Sequence, residues 1–557
     1  MDPEVGDDPL ERGAAALGAR EWHDARSAFE EALANADTPE ANDGLGLSLW
    51  WLRDVDGAIG HRERAYAAFR ARGDLDDAVR IALWLATEYL EAVGNEPASR
   101  GWLARAEGLV GQLDGGSHAG WLALTRGRLR SNPADAVEDA EAAIAVARER
   151  NDPDLEASGI ALLGLALVER GEVDPGLTRL DEAMAAATGG EVTDAAVFGD
   201  VCCLVTRAAE DAGDVTRLMR WNEVVTTFME RSGHAGLLEF CGTCCAEVLI
   251  ANGNLEEAEG WLARTLRELE GTGYRARCVH PAAKFAELRM LQGRVEDAER
   301  LRAGYEDRTD ALRATARLHL LRGEPAVAAA ILHRRINQLG DGLLAIPLLA
   351  LLVEVQVARG DVASAQASAD RLAAIARATA QARQLAVADL ALGRAARAAG
   401  DAGARERLEA AVLAFAELQM PLEAAAARLE LAALLADAEP EVAANEARLA
   451  AEAAERAGAR ALADRAAALV RDLGGPARTG PKLLGLLSRR ETEVLRLLAE
   501  GLTNAEIAAR LFISTKTAGN HVSNVLSKLN LRSRSEAAAY AVRYLGGLAP
   551  VEVPAAE

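Results

Sequence analysis

From residue 10 to about 472, apolar positions recur at three- and four-residue spacing, with few β-branched runs. That period predicts helix after helix, each burying one stripe. A short signature punctuates them: glycine, any residue, a small or apolar residue, two more residues, then usually alanine. It reads GDLDDA at Gly73, GNLEEA at Gly253, GRVEDA at Gly293, GEPAVA at Gly323 and GDVASA at Gly360, with weaker copies at Gly171, Gly213 and Gly400. From Gly171 onward the steps are 42, 40, 40, 30, 37 and 40 residues. A repeat of that length predicts a solenoid of helical pairs. The glycine ends one helix, and the alanine lies where the next must pack closely.

The pattern shortens after residue 482. Residues 488–545 read as four short helices, three of which open with a hydroxyl residue placed three positions before a glutamate: Ser488/Glu491, Thr503/Glu506 and Ser533/Glu536. At that spacing each side chain satisfies an orphan backbone donor of the helix start. Ser514 caps a further helix without the glutamate, and Gly501 sits where a helix should end. The middle helices are separated only by Leu511-Phe512-Ile513-Ser514. A short helix, a tight turn and a longer polar-faced helix form a helix-turn-helix, whose second helix enters the DNA major groove. The expected fold is all-α throughout: residues 1–472 a helical-repeat domain, 473–482 (LGGPARTGPK) a linker, 483–548 the helix-turn-helix domain and 549–557 a tail.

In the third of these helices, expected from Thr515 to Leu529, Ala518, Val522, Val525 and Leu529 share one stripe and form core. Lys516, Gly519, Asn520, Ser523 and Ser527 fall on or near the opposite face, which carries no large apolar residue. Lys516, Asn520 and Ser523 are the expected groove contacts, with Asn524 at the margin. Lys528, Arg532 and Arg534 suit phosphates, which position a protein without specifying sequence. Gly519 is unusual in an exposed helix interior, where it costs about 1 kcal/mol relative to alanine. Either it lets the backbone approach a base pair or it reflects drift.

Two resemblances follow. Trp22-Ala25-Phe29-Ala32 fits the second helix of a tetratricopeptide repeat, and Ala25 and Ala58 lie 33 residues apart, near that family's period. The long N-terminal region resembles the tetratricopeptide-like sensor domains of large bacterial regulators. At the other end, Leu487-Ser488-x-Arg490-Glu491-x-Glu493-Val494-Leu495, Gly501-x-Thr503-Asn504-x-Glu506-Ile507-Ala508, Ile513-Ser514-x-Lys516-Thr517, His521-Val522 and Lys528-Leu529 resemble the LuxR-type DNA-binding domain. That resemblance implies a four-helix module whose third helix enters the major groove and whose fourth supports dimer contacts. It implies that Thr517 and His521 frame the recognition helix and that Gly519, Asn520 and Ser523 take base-facing positions; Thr515, at the helix start, is a further expected DNA contact. The family often has valine and a basic residue where this chain has Ala518 and Gly519.

Charge sharpens the division. The whole chain carries −23, yet residues 482–547 hold ten Lys/Arg against five Asp/Glu, a net of +5; the last ten residues carry −2, so the remainder carries −26. A basic end suits phosphate and a long acidic body does not. The opening MDPEVGDDPLERG has no secretory character, and the longest apolar run, Leu343 to Val353, is too short to span a bilayer. Six cysteines in 557 residues make no disulfide framework. A cytoplasmic chain with no membrane association is expected.

Catalytic signals are missing. The phosphate-binding pattern GxxxxGK[ST] is absent, so the chain resembles a LuxR-type regulator of the maltose-activator kind without its ATPase domain. No nucleophile elbow or zinc-binding HExxH helix occurs. Cys202-Cys203, Cys241-x-x-Cys244-Cys245 and Cys278, with His234 and His280 nearby, could hold zinc or a redox pair, but they lie in apolar helical runs where cysteine packs as a small core residue. All eight tryptophans lie between Trp22 and Trp261 and either pack between repeats or line a ligand-binding concavity. No catalytic residue, cofactor or metal is expected. The resemblances imply a regulator with promoter DNA, a second copy of itself, an inducer or protein partner at the solenoid, and RNA polymerase as partners. The alternative is a scaffold whose terminal domain only localises it.

Overall fold

The computed structural model describes residues 8–113, 116–130, 132–232, 242–306, 308–473, 489–511, 513–528, 531 and 533–545. Among these residues every regular element is a helix. Contacts divide the chain into two compact units, Met1–Leu469 and Val470–Glu557. Most of the expected linker, residues 474–482, lies outside the described residues.

The first unit is a tetratricopeptide-like solenoid of antiparallel helical pairs. Within a pair the two helices are built differently. Pro153–Glu169 buries twelve of its 17 residues, whereas its partner Val173–Gly189 buries seven, spaced along one stripe. The reason is layering. First helices of successive pairs pack side by side, as Ser117–Arg128, Pro153–Glu169 and Ala195–Ala212 do, and second helices cover them. The apolar run from Leu343 belongs to one such first helix, Ile346–Ala358, entered through the short turn Leu343–Ala345. No described helix is long and apolar enough to cross a membrane.

Ala25 and Ala58 occupy equivalent sites on second helices and are fully buried. Phe29 wedges between first helices: a Cβ added to Gly13 or Gly44 would lie 2.8 and 2.3 Å from its ring. The signature alanines Ala258, Ala298, Ala328 and Ala365 are at most 1 % exposed. Gly171, Gly213, Gly253, Gly293, Gly323, Gly360 and Gly400 each end a first helix with φ between 71° and 95°, the left-handed cap that glycine adopts without a Cβ penalty. Gly73 departs from this. It ends Val55–Arg72, a second helix, so its copy of the signature marks a junction between pairs instead of the turn within one.

The glycines serve a second purpose that the repeat pattern does not reveal. The solenoid coils back on itself, and the turn within one pair touches a loop one superhelical turn later. Hydrogen bonds cross this seam between residues 172 to 219 positions apart. The Val55 amide donates to the Thr272 carbonyl at 3.1 Å and the Ala276 amide to the Ala92 carbonyl at 2.8 Å. Gln384 Nε2 donates to the carbonyls of Asp211 and Ala212 at 3.3 and 3.1 Å. A Cβ on Gly213 would meet Arg383 at 2.6 Å, and one on Gly253 would meet Pro421 at 2.9 Å.

Candidate nucleic-acid interface

Among the described residues from 489 onward the second unit forms four helices: α1 (Arg489–Ala499), α2 (Asn504–Arg510), α3 (Thr515–Lys528) and α4 (Arg534–Leu545). Local chemistry fixes each boundary. Thr503 and Glu506 form the full reciprocal capping box: the Glu506 amide donates to Thr503 Oγ1 at 3.4 Å, and the Thr503 amide donates to Glu506 Oε2 at 2.6 Å. The Thr503 hydroxyl, which donates to Glu506 Oε2 at 2.7 Å, and the Thr503 amide together hold the Glu506 carboxyl below its ordinary pKa. The Thr517 amide donates to Ser514 Oγ at 3.1 Å and the Glu536 amide to Ser533 Oγ at 3.1 Å. Ser488 lies outside the described residues, as does Leu529. Gly501 ends α1 at φ 81°, with the Leu502 amide returning to the Leu497 carbonyl at 3.2 Å, the closing bond of a Schellman motif.

A core of Val494, Leu495, Leu498, Ile507, Ala518, Val522, Val525, Ala537, Tyr540 and Ala541 joins the four helices. On the last helix Tyr540, Ala541 and Val542 could serve either a dimer contact or the core; Tyr540 and Ala541 are buried in this core, and the Val542 side chain lies outside the described residues. The turn between α2 and α3 has its own clamp. Arg490 on α1 donates from Nη2 to the Leu511 carbonyl and from Nη1 to Glu493 at 2.8 Å. Sequence reasoning placed Arg490 in the family motif without a role; its signal was a basic residue at the start of a helix that packs on the turn.

The core stripe of α3 turns the opposite side outward. Thr515, Lys516, Asn520, Ser523 and Asn524 are exposed together on it. Five polar side chains of different reach thus share one exposed face with no apolar side chain among them. Thr517 and His521 are half-buried at its edges, and the Thr517 hydroxyl lies 2.7 Å from Ser514 Oγ in the cap. Gly519 is also half-buried. A Cβ there would lie 3.5 Å from Asn504 Nδ2, so the position faces the start of α2. Arg534 donates from Nη1 to Asn504 Oδ1 at 2.8 Å. The Lys528 side chain and Arg532 lie outside the described residues.

The first unit arranges its charge in the reverse manner, pairing it between first helices. Arg394 bonds Glu354 at 2.7 Å and Glu430 at 3.0 Å, Arg317 bonds Glu354, and Arg397 bonds Glu430 at 2.9 Å. Lys284 bridges Glu210 and Glu247 at 2.7 and 2.9 Å. Burial alone would raise the Glu354 carboxyl, but Arg317 and Arg394 outweigh it and hold it at about 2. Glu88 is the contrasting case: it is 3 % exposed, one carboxylate oxygen has no hydrogen-bond partner among the described residues, and burial pushes it up to about 7. The cysteines are spread along this unit. Cys202 is buried between helices, Cys245 Sγ contacts Asn222 Oδ1 at 3.4 Å, and burial raises the thiols of Cys245 and Cys278. Cys241 and His234 lie outside the described residues. Tryptophans pack between pairs, with Trp22 stacked on Trp51 at 4.6 Å and Arg62 over Trp84 at 4.4 Å.

The family model for bacterial regulatory proteins of the luxR family matches residues 485–541. This segment is a LuxR-family helix-turn-helix domain. Over 58 residues the chain is 55 % identical to the transcriptional regulatory protein LnrK of Bacillus subtilis, covering 10 % of this chain and 26 % of that protein. It is 53 % identical over 57 residues to LiaR of the same organism, covering 10 % and 27 %. It is 42 % identical over 89 residues to the DNA-binding transcriptional activator DevR/DosR of Mycobacterium tuberculosis, covering 16 % and 41 %. The chain thus spans about a quarter of the length of the first relatives it matches, and the likeness rests on the LuxR-family domain. Two solved structures align with the helical chain at a TM-score of 0.33. One is the Cut9–Hcn1 hetero-tetramer of APC/C, at 13 % identity over 82 % of this chain and 96 % of that one. The other is the tetratricopeptide-sensor ATPase PH0952 from Pyrococcus horikoshii, at 17 % identity over 60 % and 50 %.

Proposed function

We propose that this chain is a sequence-specific DNA-binding transcription regulator in which the helical-repeat domain, residues 1–472, receives a signal or partner protein and the domain at 483–548 reads promoter DNA. The observation that carries the reading is the exposed face of α3, where Lys516, Asn520, Ser523 and Asn524 stand clear of the core. Asn pairs with adenine through two hydrogen bonds, serine accepts either partner, and lysine favours guanine or phosphate. Lys528 and Arg532 serve phosphates, while Thr515, Thr517 and His521 support the face from its start and edges. One such module reads few base pairs, so two copies bind paired half-sites, and RNA polymerase is a partner at the promoter. The chain works in the cytoplasm and catalyses no reaction.

The repeat domain's part is supported by its stacked tetratricopeptide-like helical pairs, an architecture that forms extended binding surfaces. The test is selection of double-stranded DNA from a random pool by the full chain, followed by affinity measurements at rising salt. A recovered consensus, bound with a steep inverse dependence on salt, supports the regulator. Recovery of no consensus would overturn it in favour of a scaffold.

A further inference from the structure

Asn504 and Arg534 were not expected to meet. Asn504 is the first residue of α2 and belongs to no cap; Arg534 is the first residue of α4. The structure brings them together at 2.8 Å, from Arg534 Nη1 to Asn504 Oδ1. The other end of the same carboxamide, Nδ2, faces Gly519 in the middle of α3, at 3.5 Å from where a Cβ would stand. One short side chain on α2 therefore bonds α4 and stands opposite Gly519 of α3, the residue directly before Asn520.

The guanidinium is not disposed to reach outward. Arg534 is half-buried, and its second amino group, Nη2, is buried with no hydrogen-bond partner among the described residues. Turning it toward a DNA phosphate would break the Asn504 bond. The planar fork holds a fixed direction that a lysine ammonium does not reproduce. A reading helix held loosely by even about 1 Å loses its contacts, so a rigid two-angle carboxamide at this crossing has a mechanical consequence for recognition.

We propose that Asn504 and Arg534 are positioning residues that seat α3 for base reading, and that Arg534 is not a phosphate contact. This rests on the DNA-reading function proposed above.

The experiment uses the full chain and a DNA site selected by the wild-type protein. Affinity for that site and for unrelated competitor DNA is measured across a salt series for wild type, Asn504→Ala, Arg534→Lys and Arg534→Ala. Thermal unfolding of each variant is followed in parallel. The expected result is that Asn504→Ala and Arg534→Lys each weaken the selected site tenfold or more. Competitor binding and the slope of log K against log salt stay at wild-type values, and Asn504→Ala with Arg534→Lys is no worse than either alone. A phosphate contact predicts the opposite: Arg534→Lys binds within about threefold of wild type, and Arg534→Ala lowers the salt slope by about one. Either of those results, or an unchanged Asn504→Ala, overturns the proposal. Should Asn504→Ala unfold, Arg534→Lys, which keeps charge and length, decides alone. If the wild-type chain selects no site, it is the DNA-reading function that fails.

Discussion

The two units handle charge in opposite ways. In the repeat unit, opposite charges are paired across successive first helices, so that Glu354 lies between Arg317 and Arg394. In the LuxR-family domain the polar residues of α3 stand apart from the core and are left exposed. Charge in the first case holds the fold; in the second it is kept available. A substitution in the repeat unit should therefore be read in stability, and one on α3 in binding.

The largest expected effect tests that division. Glu354→Ala leaves two guanidinium groups facing a vacated site, and breaking such a pair costs about 3 kcal/mol or more. Urea unfolding of the full chain followed by circular dichroism should show the loss, with DNA binding at low denaturant unchanged. An effect below about 0.5 kcal/mol would place these pairs with ordinary surface ion pairs.

Next comes Glu88, the carboxyl that burial raises to about 7 from 4.5. The folded chain holds a proton that the unfolded chain releases above about 4.5, so this contribution to stability is full below that pH. It is lost as pH rises toward 7 and does not change further above it. The total is on the order of 3 kcal/mol. Arg277, Glu91 and Asp200 surround the group. Glu88→Gln keeps the neutral shape and should flatten that part of the stability profile, measured as unfolding midpoint from pH 4.5 to 8.

A smaller effect is expected at α3. Asn520→Ala should cost about 1–3 kcal/mol at the selected site and relax preference at one base position, with the unfolding midpoint unmoved. Fluorescence anisotropy on single-base variants of the site measures both. The smallest concerns Gly519. Because its missing side chain faces Asn504 at ordinary contact distance, Gly519→Ala should stabilise α3 by up to about 1 kcal/mol and bind DNA within threefold of wild type. Were the glycine needed for close backbone approach to a base pair, the same variant would lose binding instead.

The local features were legible in the sequence because they are local. Thr503/Glu506, Ser514, Gly501 and the Ala518–Val522–Val525 stripe each depend on residues within one or two turns, and each has its place in the structure. The helical-repeat architecture was legible for the same reason, multiplied by repetition. What joins distant segments was not. The Asn504–Arg534 bond spans 30 residues with no periodic signal, so Arg534 read as one more free cation. Gly73 looked like the other signature glycines because a helix end after either member of a pair needs the same left-handed cap. The charge ladder did leave a trace: Arg317, Glu354, Arg394 and Glu430 alternate in sign at intervals of 37, 40 and 36 residues, one repeat apart.

The seam has a consequence for how the repeat unit comes apart. In an open array each repeat contacts only its neighbours, and unfolding frays inward from an end one unit at a time. Here the turn at Gly213 is held by Gln384 and the loop at Gly94 by Arg308, each more than 170 residues on. A repeat thus has a second partner far along the chain, and the ends are tied to the interior. Loss of one unit exposes surface on another distant from it, which makes the transition closer to all-or-none than repeat architecture alone implies. The same long-range closures must form after the local pairs, so the last and slowest stage of folding is the one that brings the coils into register.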